Sequence, residues 1–384
     1  MRIFKVSIAA VALLATLILP AQANNPNCTL VDGDYIVSFP RGIGIANEMR
    51  AVPGRPIQAK FTYDTVLNGF AATLTAEQAC AFQRRPGATV ELDGIASTMA
   101  SRDVSTTAAP QWGLDRIDEK SLPLDGQFNV DASGAGTYVY IFDTGIRSTH
   151  DEFKNSDSKS RVSSTGFSAF TDQSIEDCKG HGTHVAGTVG GLATGVASAV
   201  TLISVRVLDC NGSGPWSGII SGLDYVLKDS RRPAIVNMSL GGKSNKTLNS
   251  AVQNFIRDSG IPVVVAAGNN GRDACQFSPS SVAEAITVGA ITSNDGRASF
   301  SNFGKCVDIY APGVNIRSSA FSSNIDYVSW DGTSMATPHV TGIVARYLQA
   351  NTSAKNAQIT SDLLKSASGT TLRIACLTGA NECK

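Results

Sequence analysis

Five apolar runs without polar alternation constrain this chain most: YVYIFD at 138–143, TLISVRVLD at 201–209, PAIVNMSL at 233–240, IPVVVAAGN at 261–269 and AITVGA at 285–290. Strands so uniformly Val, Ile and Leu must be covered on both faces, and helical stretches lie between them, so they predict an α/β fold with a mainly parallel sheet flanked by helices. Such sheets gather function at the carboxyl ends of their strands. The polar residues at those ends are therefore the ones to follow: Asp143, Ser239 with Gly241, and Asn269.

Before this pattern stands a smaller α+β module, with strand-like DYIVSFP (34–40) and NGFAATL (68–74) and helix-like TAEQACAFQRR (75–85). Residues 99–110, MASRDVSTTAAP, are small, polar and aperiodic, as in an exposed domain boundary, and a cleavage is expected between Val104 and Ala109. At the amino end Arg2 and Lys5, an apolar stretch over 6–19 and the small-residue site AQA read as a secretory signal cut after Ala23. That stretch is too short for a membrane anchor, which needs about 20 residues. The expected product is secreted, soluble and monomeric. Its 32 basic and 32 acidic residues leave no field for nucleic acid, and its 8 cysteines suit an oxidising compartment. The expected layout is signal 1–23, small domain 24–104, main domain 105–368 and an extension 369–384.

Chemistry concentrates in three segments. In GTSMATPHV, Ser334 opens a helix in which Pro338 falls in the first turn. Free N–H groups there favour an oxyanion, yet serine is also a common helix cap, and the residues alone leave both readings open. A serine nucleophile needs a base, and the chain has 4 histidines. Of these, His181 starts the helical GHGTHVAGTVGG and is better placed to face a cleft than His184 behind it; His150 and His339 read as structural. The pair His181 and His184 lacks the acid of a zinc-protease helix. Asp143, at the end of YVYIFD, can orient the imidazole or cap a turn. A GxSxG esterase motif is not present, because Ser334 lies in GTSMA.

Together YIFDTGI, GHGTHVAGT and GTSMATPHV resemble the three active-site signatures of the subtilases, in the order Asp143, His181, Ser334. APQWGLDRID (109–118), CNGSGPWSGI (210–219) and the cysteine spacings are similar to the calcium-binding, disulfide-bearing bacterial members of the proteinase K branch, and the first module resembles the inhibitor prodomain through NGFAATLT. The resemblance covers roughly residues 105–365. It implies a serine endopeptidase, autoprocessed from a zymogen, with its own prodomain and polypeptides as partners.

Asn269, by itself a turn former after a buried strand, becomes the side-chain donor to the oxyanion. The substrate edges become Asn211, Gly212, Ser213 and Gly214 on one side and Ser239, Leu240 and Gly241 on the other. Ala266, Ala267 and Gly268 wall a wide, uncharged pocket for the residue before the cut, so broad apolar and aromatic specificity is expected. Trp216 either shapes a second apolar pocket or is a core residue. The resemblance also implies disulfides Cys178–Cys210 and Cys275–Cys306, while Cys376 with Cys383 is an expected pair; Cys28 and Cys80 both fall within the prosegment, and the sequence leaves their pairing open. Calcium is expected at Asp308 with the carbonyls of Ala283 and Ala285, and at Asp115 with Asp118. A catalytically silent protein with this fold is the competing class, against which all four catalytic residues are present.

Overall fold

The computed structural model describes residues 28–99, 111–128, 132–369 and 372–377, and the backbone of 102–104; the signal at 1–23 and Cys383 lie outside the described residues. The first module runs β1 (Gly33–Phe39), α1 (Ile45–Arg50), β2 (Ala59–Tyr63), β3 (Asn68–Leu74), α2 (Ala76–Gln83) and β4 (Thr89–Leu92), with sheet order β2-β3-β1-β4. This is a ferredoxin-like arrangement. Its second helix starts where Thr75 and Gln78 form a reciprocal capping box. Phe39, Phe70 and Phe82 fill the core edge to face. Cys28 is bonded to Cys80, which ties the segment before β1 to α2.

Two short strands follow, β5 (Ile95–Thr98) and β6 (Arg102–Val104), and then α3 (Trp112–Ile117), β7 (Tyr138–Asp143), β8 (Phe167–Ser168), α4 (His181–Gly190) and β9 (Thr201–Arg206). The chain continues through β10 (Ser213–Pro215), α5 (Trp216–Lys228), β11 (Ala234–Met238), β12 (Leu240–Lys243), α6 (Lys246–Ser259), β13 (Val263–Ala266), β14 (Phe277–Ser278) and β15 (Ile286–Ile291). It ends with β16 (Ile309–Pro312), β17 (Ile316–Ser319), β18 (Tyr327–Asp331), α7 (Thr333–Ala350) and α8 (Asn356–Ser366).

The five apolar runs supply β7, β9, β11, β13 and β15, which with β8 and β16 make a parallel sheet of order β16-β15-β13-β11-β7-β9-β8. Alternation along each strand serves two cores. Val139 and Ile141 pack with Val185 of α4 and Met335 and Val340 of α7, whereas Tyr140 and Phe142 pack with Ile219 and Leu223 of α5 and Leu248 of α6. Both faces are thus dry, as the lack of polar alternation requires. The edge strand β16 is covered by the carboxyl-terminal segment, where Tyr310 N–H donates to Arg373 O and Ala375 N–H to Tyr310 O, each at 2.7 Å.

Disulfides join Cys178 to Cys210 and Cys275 to Cys306, with Cα separations of 5.0 and 5.3 Å. Each closes a loop of about 30 residues, worth about 3–4 kcal/mol in the loop-entropy account. Cys376 is also disulfide-bonded.

The small domain sits on α5 and α6 through carboxylates. Glu91 accepts from the N–H groups of Lys246 and Thr247, and Asp93 from that of Ser217, so each satisfies donors left free at a helix start. Asp224 of α5 in turn accepts from Val66 N–H at 2.9 Å. These contacts aim β5 into the cleft described next.

Candidate active site

Three neighbouring strands of the sheet, β7, β11 and β13, end on the same edge, and from them come Asp143, Ser239 and Asn269. Asp143 is fully buried, and both its carboxylate oxygens face His181 Nδ1, at 2.7 and 2.8 Å. Burial raises its pKa, opposed by the His181 charge and by hydrogen bonds from His181 and from Thr144 N–H. The carboxylate therefore fixes the proton of the ring on Nδ1 and leaves Nε2 as the base.

The ring is held there by the start of α4. Asp177 Oδ1 accepts from Lys179 N–H, Gly180 N–H and Thr144 Oγ1, and Oδ2 accepts from the N–H and hydroxyl of Thr183. Gly182 lets the helix approach β7: a Cβ there would stand 2.1 Å from Gly145 O. His184, one turn on, is buried, its Nε2 near the carbonyls of Ile316 and Val328. Burial depresses its pKa to about 3, and that of His339 to about 4. Neither is a base in the cleft, in line with a structural role. Trp330 of β18 stacks on the His184 ring at 4.7 Å and lies 6.0 Å from the His181 ring.

Ser334 is buried in the first turn of α7, which packs on α4. Its hydroxyl donates to Ser239 O at 2.9 Å, and His181 Nε2 has no hydrogen-bond partner, so the structure brings histidine and carboxylate together but does not join serine to histidine by a hydrogen bond.

The Ser334 N–H points elsewhere, to the carbonyl oxygen of Met99 at 3.3 Å, and Asn269 Nδ2 donates to the same oxygen. Asn269 Oδ1 accepts from Thr333 N–H and hydroxyl, which orients the amide. Two donors from separate elements thus meet on one peptide carbonyl.

That carbonyl belongs to the segment after the small domain. β5 runs antiparallel between β10 and β12, with Ser97 opposite Ser213 and Gly241, and Thr98 N–H donates to Gly212 O. The expected edges around Gly212, Ser213, Gly214, Leu240 and Gly241 therefore hold a strand, while Asn211 is exposed at the turn before β10. The Met99 side chain lies against Gly241, where a Cβ would come 3.0 Å from Met99 Cε. Ala266 ends β13, and Ala267 and Gly268 lead from it to Asn269, with Asn302 Nδ2 bonded to Ala267 O. Trp216 is buried under Gly94 and Gly242, in one cluster with Ala96 of the inserted strand.

Of the carboxylates read as metal ligands, Asp308 is half-buried, accepts from Thr287 N–H at 2.8 Å and has its pKa raised by burial. Ala285 is buried and Ala283 exposed in the turn before β15. Asp115 gathers with Glu119 and Asp125, their oxygens within 4.8 Å of one another. Asp118, expected beside it, is buried but does not belong to that cluster. Asp115 Oδ1 is buried without a hydrogen-bond partner while Oδ2 takes Gly126 N–H, and burial raises the pKa. An orphaned oxygen among three carboxylates fits a hard cation.

Residues 134–379 match the model of the subtilase family. The chain belongs to the subtilases. It is 48% identical over 304 residues to the extracellular serine proteinase of Thermus sp. (strain Rt41A), covering 79% of this chain and 71% of that one. With alkaline serine exoprotease A of Vibrio alginolyticus it shares 44% over 315 residues, 81% of this chain but 57% of the relative. A cuticle-degrading protease of Metarhizium anisopliae is 40% identical over 338 residues, 86% and 84% of the two chains. The crystal structure of a cold-adapted subtilisin-like serine proteinase superposes with a TM-score of 0.64 at 46% identity, over 70% of this chain and 96% of the other. This subtilase is accordingly a serine endopeptidase. No described helix is long and apolar enough to cross a membrane.

Met99, Asp177, Trp330, Glu119 and Asp125 were not singled out in the sequence. Asp177 carried a signal, an aspartate just ahead of a helix start.

Proposed function

We propose that this subtilase is a secreted endopeptidase of broad apolar and aromatic preference, which first cuts its own chain after Met99. The observation that carries the reading is the Met99 carbonyl oxygen, which receives both the Asn269 amide and the Ser334 N–H while β5 lies between the two substrate edges. A substrate strand held by backbone pairing is read with little regard to its side chains. The pocket walled by Ala266, Ala267 and Gly268 offers the residue before the cut space without charge, and methionine is the residue that this chain presents.

For the chemistry, Ser334 Oγ turns from Ser239 O to His181 Nε2, gives it a proton and attacks the carbonyl carbon. Negative charge forms on the oxygen that already faces Asn269 Nδ2 and Ser334 N–H, donors fixed before the reaction. His181, its charge balanced by Asp143, then protonates the leaving amine; water repeats the sequence in reverse to release the acyl group.

On this reading the processing point is Met99–Ala100, in preference to the 104–109 stretch expected from composition. The domain comprising residues 24–99 would remain as an inhibitor, because its own tail fills the edges and its carboxylates hold α5 and α6. Calcium is assigned to Asp308 with the carbonyls of Ala283 and Ala285, and to Asp115 with Glu119 and Asp125 and with Asp118 nearby, where a divalent charge would offset crowded carboxylates.

Amino-terminal sequencing of the matured protein tests the reading. Ala100 is the expected first residue before any trimming, and Ser334→Ala protein should keep its small domain attached. Maturation of Ser334→Ala without added protease would contradict self-cleavage.

A further inference from the structure

We propose that the Cys178–Cys210 disulfide is a thiol-exchange site. A low-molecular-weight thiol opens it at Cys210, the Arg206 guanidinium takes up the charge of the departing Cys178 sulfur, and the opened enzyme binds extended substrates less tightly. The effect on substrate rests on the endopeptidase reading; the exchange itself does not.

Arg206 ends β9, and its side chain is 5% exposed. Its Nη1 donates to both oxygens of Asp172, at 2.9 and 2.8 Å, and to Ser174 O, while the Phe170 ring centre lies 5.0 Å from the guanidinium carbon. Nη2 is turned to the disulfide, 3.6 Å from Cys178 Sγ and 4.0 Å from Cys210 Sγ. The carboxylates nearest in sequence are taken up by backbone N–H groups, Asp177 by those of Lys179 and Gly180 and Asp209 by those of Asn211 and Ser213. A desolvated cation against sulfur favours the thiolate and makes that sulfur the better leaving group. Among the described residues, neither sulfur of the Cys275–Cys306 bridge is hydrogen-bonded to a cation, which makes that bridge an internal reference.

Exposure and charge give the exchange a direction. Cys210 is exposed and Cys178 half-buried, so an incoming thiolate reaches the Cys210 sulfur, and the sulfur nearer the guanidinium leaves. The thiolate forms a new S–S bond to Cys210 as the Cys178–Cys210 bond breaks, and the electron pair of the broken bond stays on Cys178 Sγ beside Arg206. A second thiolate then attacks the bound thiol's sulfur, releasing Cys210 as a thiolate and leaving as the small-molecule disulfide. What opens is a strap between two parts of the site: Cys178 stands three positions before His181, and Cys210 directly precedes Asn211, where the substrate edge begins. The hydrogen bonds of Asp177 continue to hold the start of α4, so the base keeps its place. The edge turn is closed on itself, through Asp209 N–H to Ser213 O and Gly212 N–H to Asp209 O, and the disulfide is its tie to the segment that carries His181. Loss of the tie therefore bears on binding more than on chemistry.

The test incubates matured enzyme with reduced glutathione, blocks free thiols with an alkylating reagent and maps both adducts by peptide mass spectrometry. Glutathione should appear on Cys210 and the alkyl group on Cys178, about tenfold faster than any label on Cys275 or Cys306. Arg206→Gln should slow the reaction about fivefold, and Asp172→Asn, which leaves the guanidinium without its carboxylate, should quicken it by about twofold. If Arg206→Gln does not fold, the Asp172→Asn rate decides alone. Equal labelling of the two bridges, glutathione on Cys178 instead of Cys210, or an unchanged rate in Asp172→Asn enzyme overturns the proposal. Kinetics on a peptide with four residues before the cut should show KM raised about threefold in the opened enzyme and kcat within about twofold, both restored on reoxidation with oxidised glutathione. An unchanged KM after complete exchange also overturns it. Failure of the untreated enzyme to cleave that peptide counts against the endopeptidase reading instead, because the mass readout of exchange does not depend on activity.

Discussion

The backbone N–H of Ser334 points at the carbonyl oxygen of Met99, 3.3 Å away. The residue assigned to attack the peptide also supplies one of the hydrogen bonds that would hold the resulting oxyanion, because it opens α7, where N–H groups have no helical partner. The second donor, Asn269, comes from the end of a different strand. Its removal in Asn269→Ala should lower kcat by about 10² to 10³ with little change in KM, the magnitude known for the oxyanion asparagine of subtilisin itself. Steady-state kinetics on a peptide substrate checks this; a loss confined to KM would mean that Asn269 only binds substrate.

Asp143→Asn keeps the size of the side chain and removes its charge. The amide can donate to Nδ1 and so favours the wrong tautomer of His181, and kcat should fall about 10⁴-fold at neutral pH. Near-UV circular dichroism should remain that of the native fold, since the change costs no volume.

Much of this was legible in the sequence, and the reasons are local. The runs that became β7, β9, β11, β13 and β15 are long and apolar on both faces, and Asp143 terminates one of them without a break. Asn269 looked like a turn former because its partner, the Met99 carbonyl, lies 170 positions away. Residues 95–98 and 102–104 gave no periodic signal, since each forms a strand only through pairing with distant edges. Glu119 and Asp125 were ordinary loop acids until the turn after α3 folded them onto Asp115. Asp118, adjacent to Glu119 in sequence, falls outside that cluster.

Acid should destabilise the matured fold through two buried rings. His184 and His339 titrate at about 3 and about 4 in the folded protein, below the ordinary 6.5, so the unfolded chain binds more protons as pH falls through this window. The stability contributed by keeping these rings neutral is full above about pH 6.5 and is lost progressively towards pH 3 to 4. Asp143 acts in the opposite sense: burial raises its pKa, so its contribution is greatest at low pH and falls as pH rises through the raised value. Urea midpoints of enzyme inactivated at its serine should decline from pH 7 to 4, and less steeply in His339→Gln.

Calcium should stabilise the matured enzyme. A hundredfold excess over Kd adds about 2.7 kcal/mol, or about 5–10 °C in Tm for a domain of this size. Chelation should remove this increment, and Asp115→Asn should remove part of it while leaving the response due to Asp308. Equal Tm with and without calcium in wild-type enzyme would exclude both sites.

The most direct measurement of the catalytic claim is covalent labelling of the matured enzyme with a serine-directed fluorophosphonate, read by peptide mass spectrometry. The label should sit on Ser334 alone, with loss of activity in proportion, and should fail to form in His181→Ala enzyme prepared by processing with added protease. A label on another residue, or undiminished labelling without His181, would contradict the account.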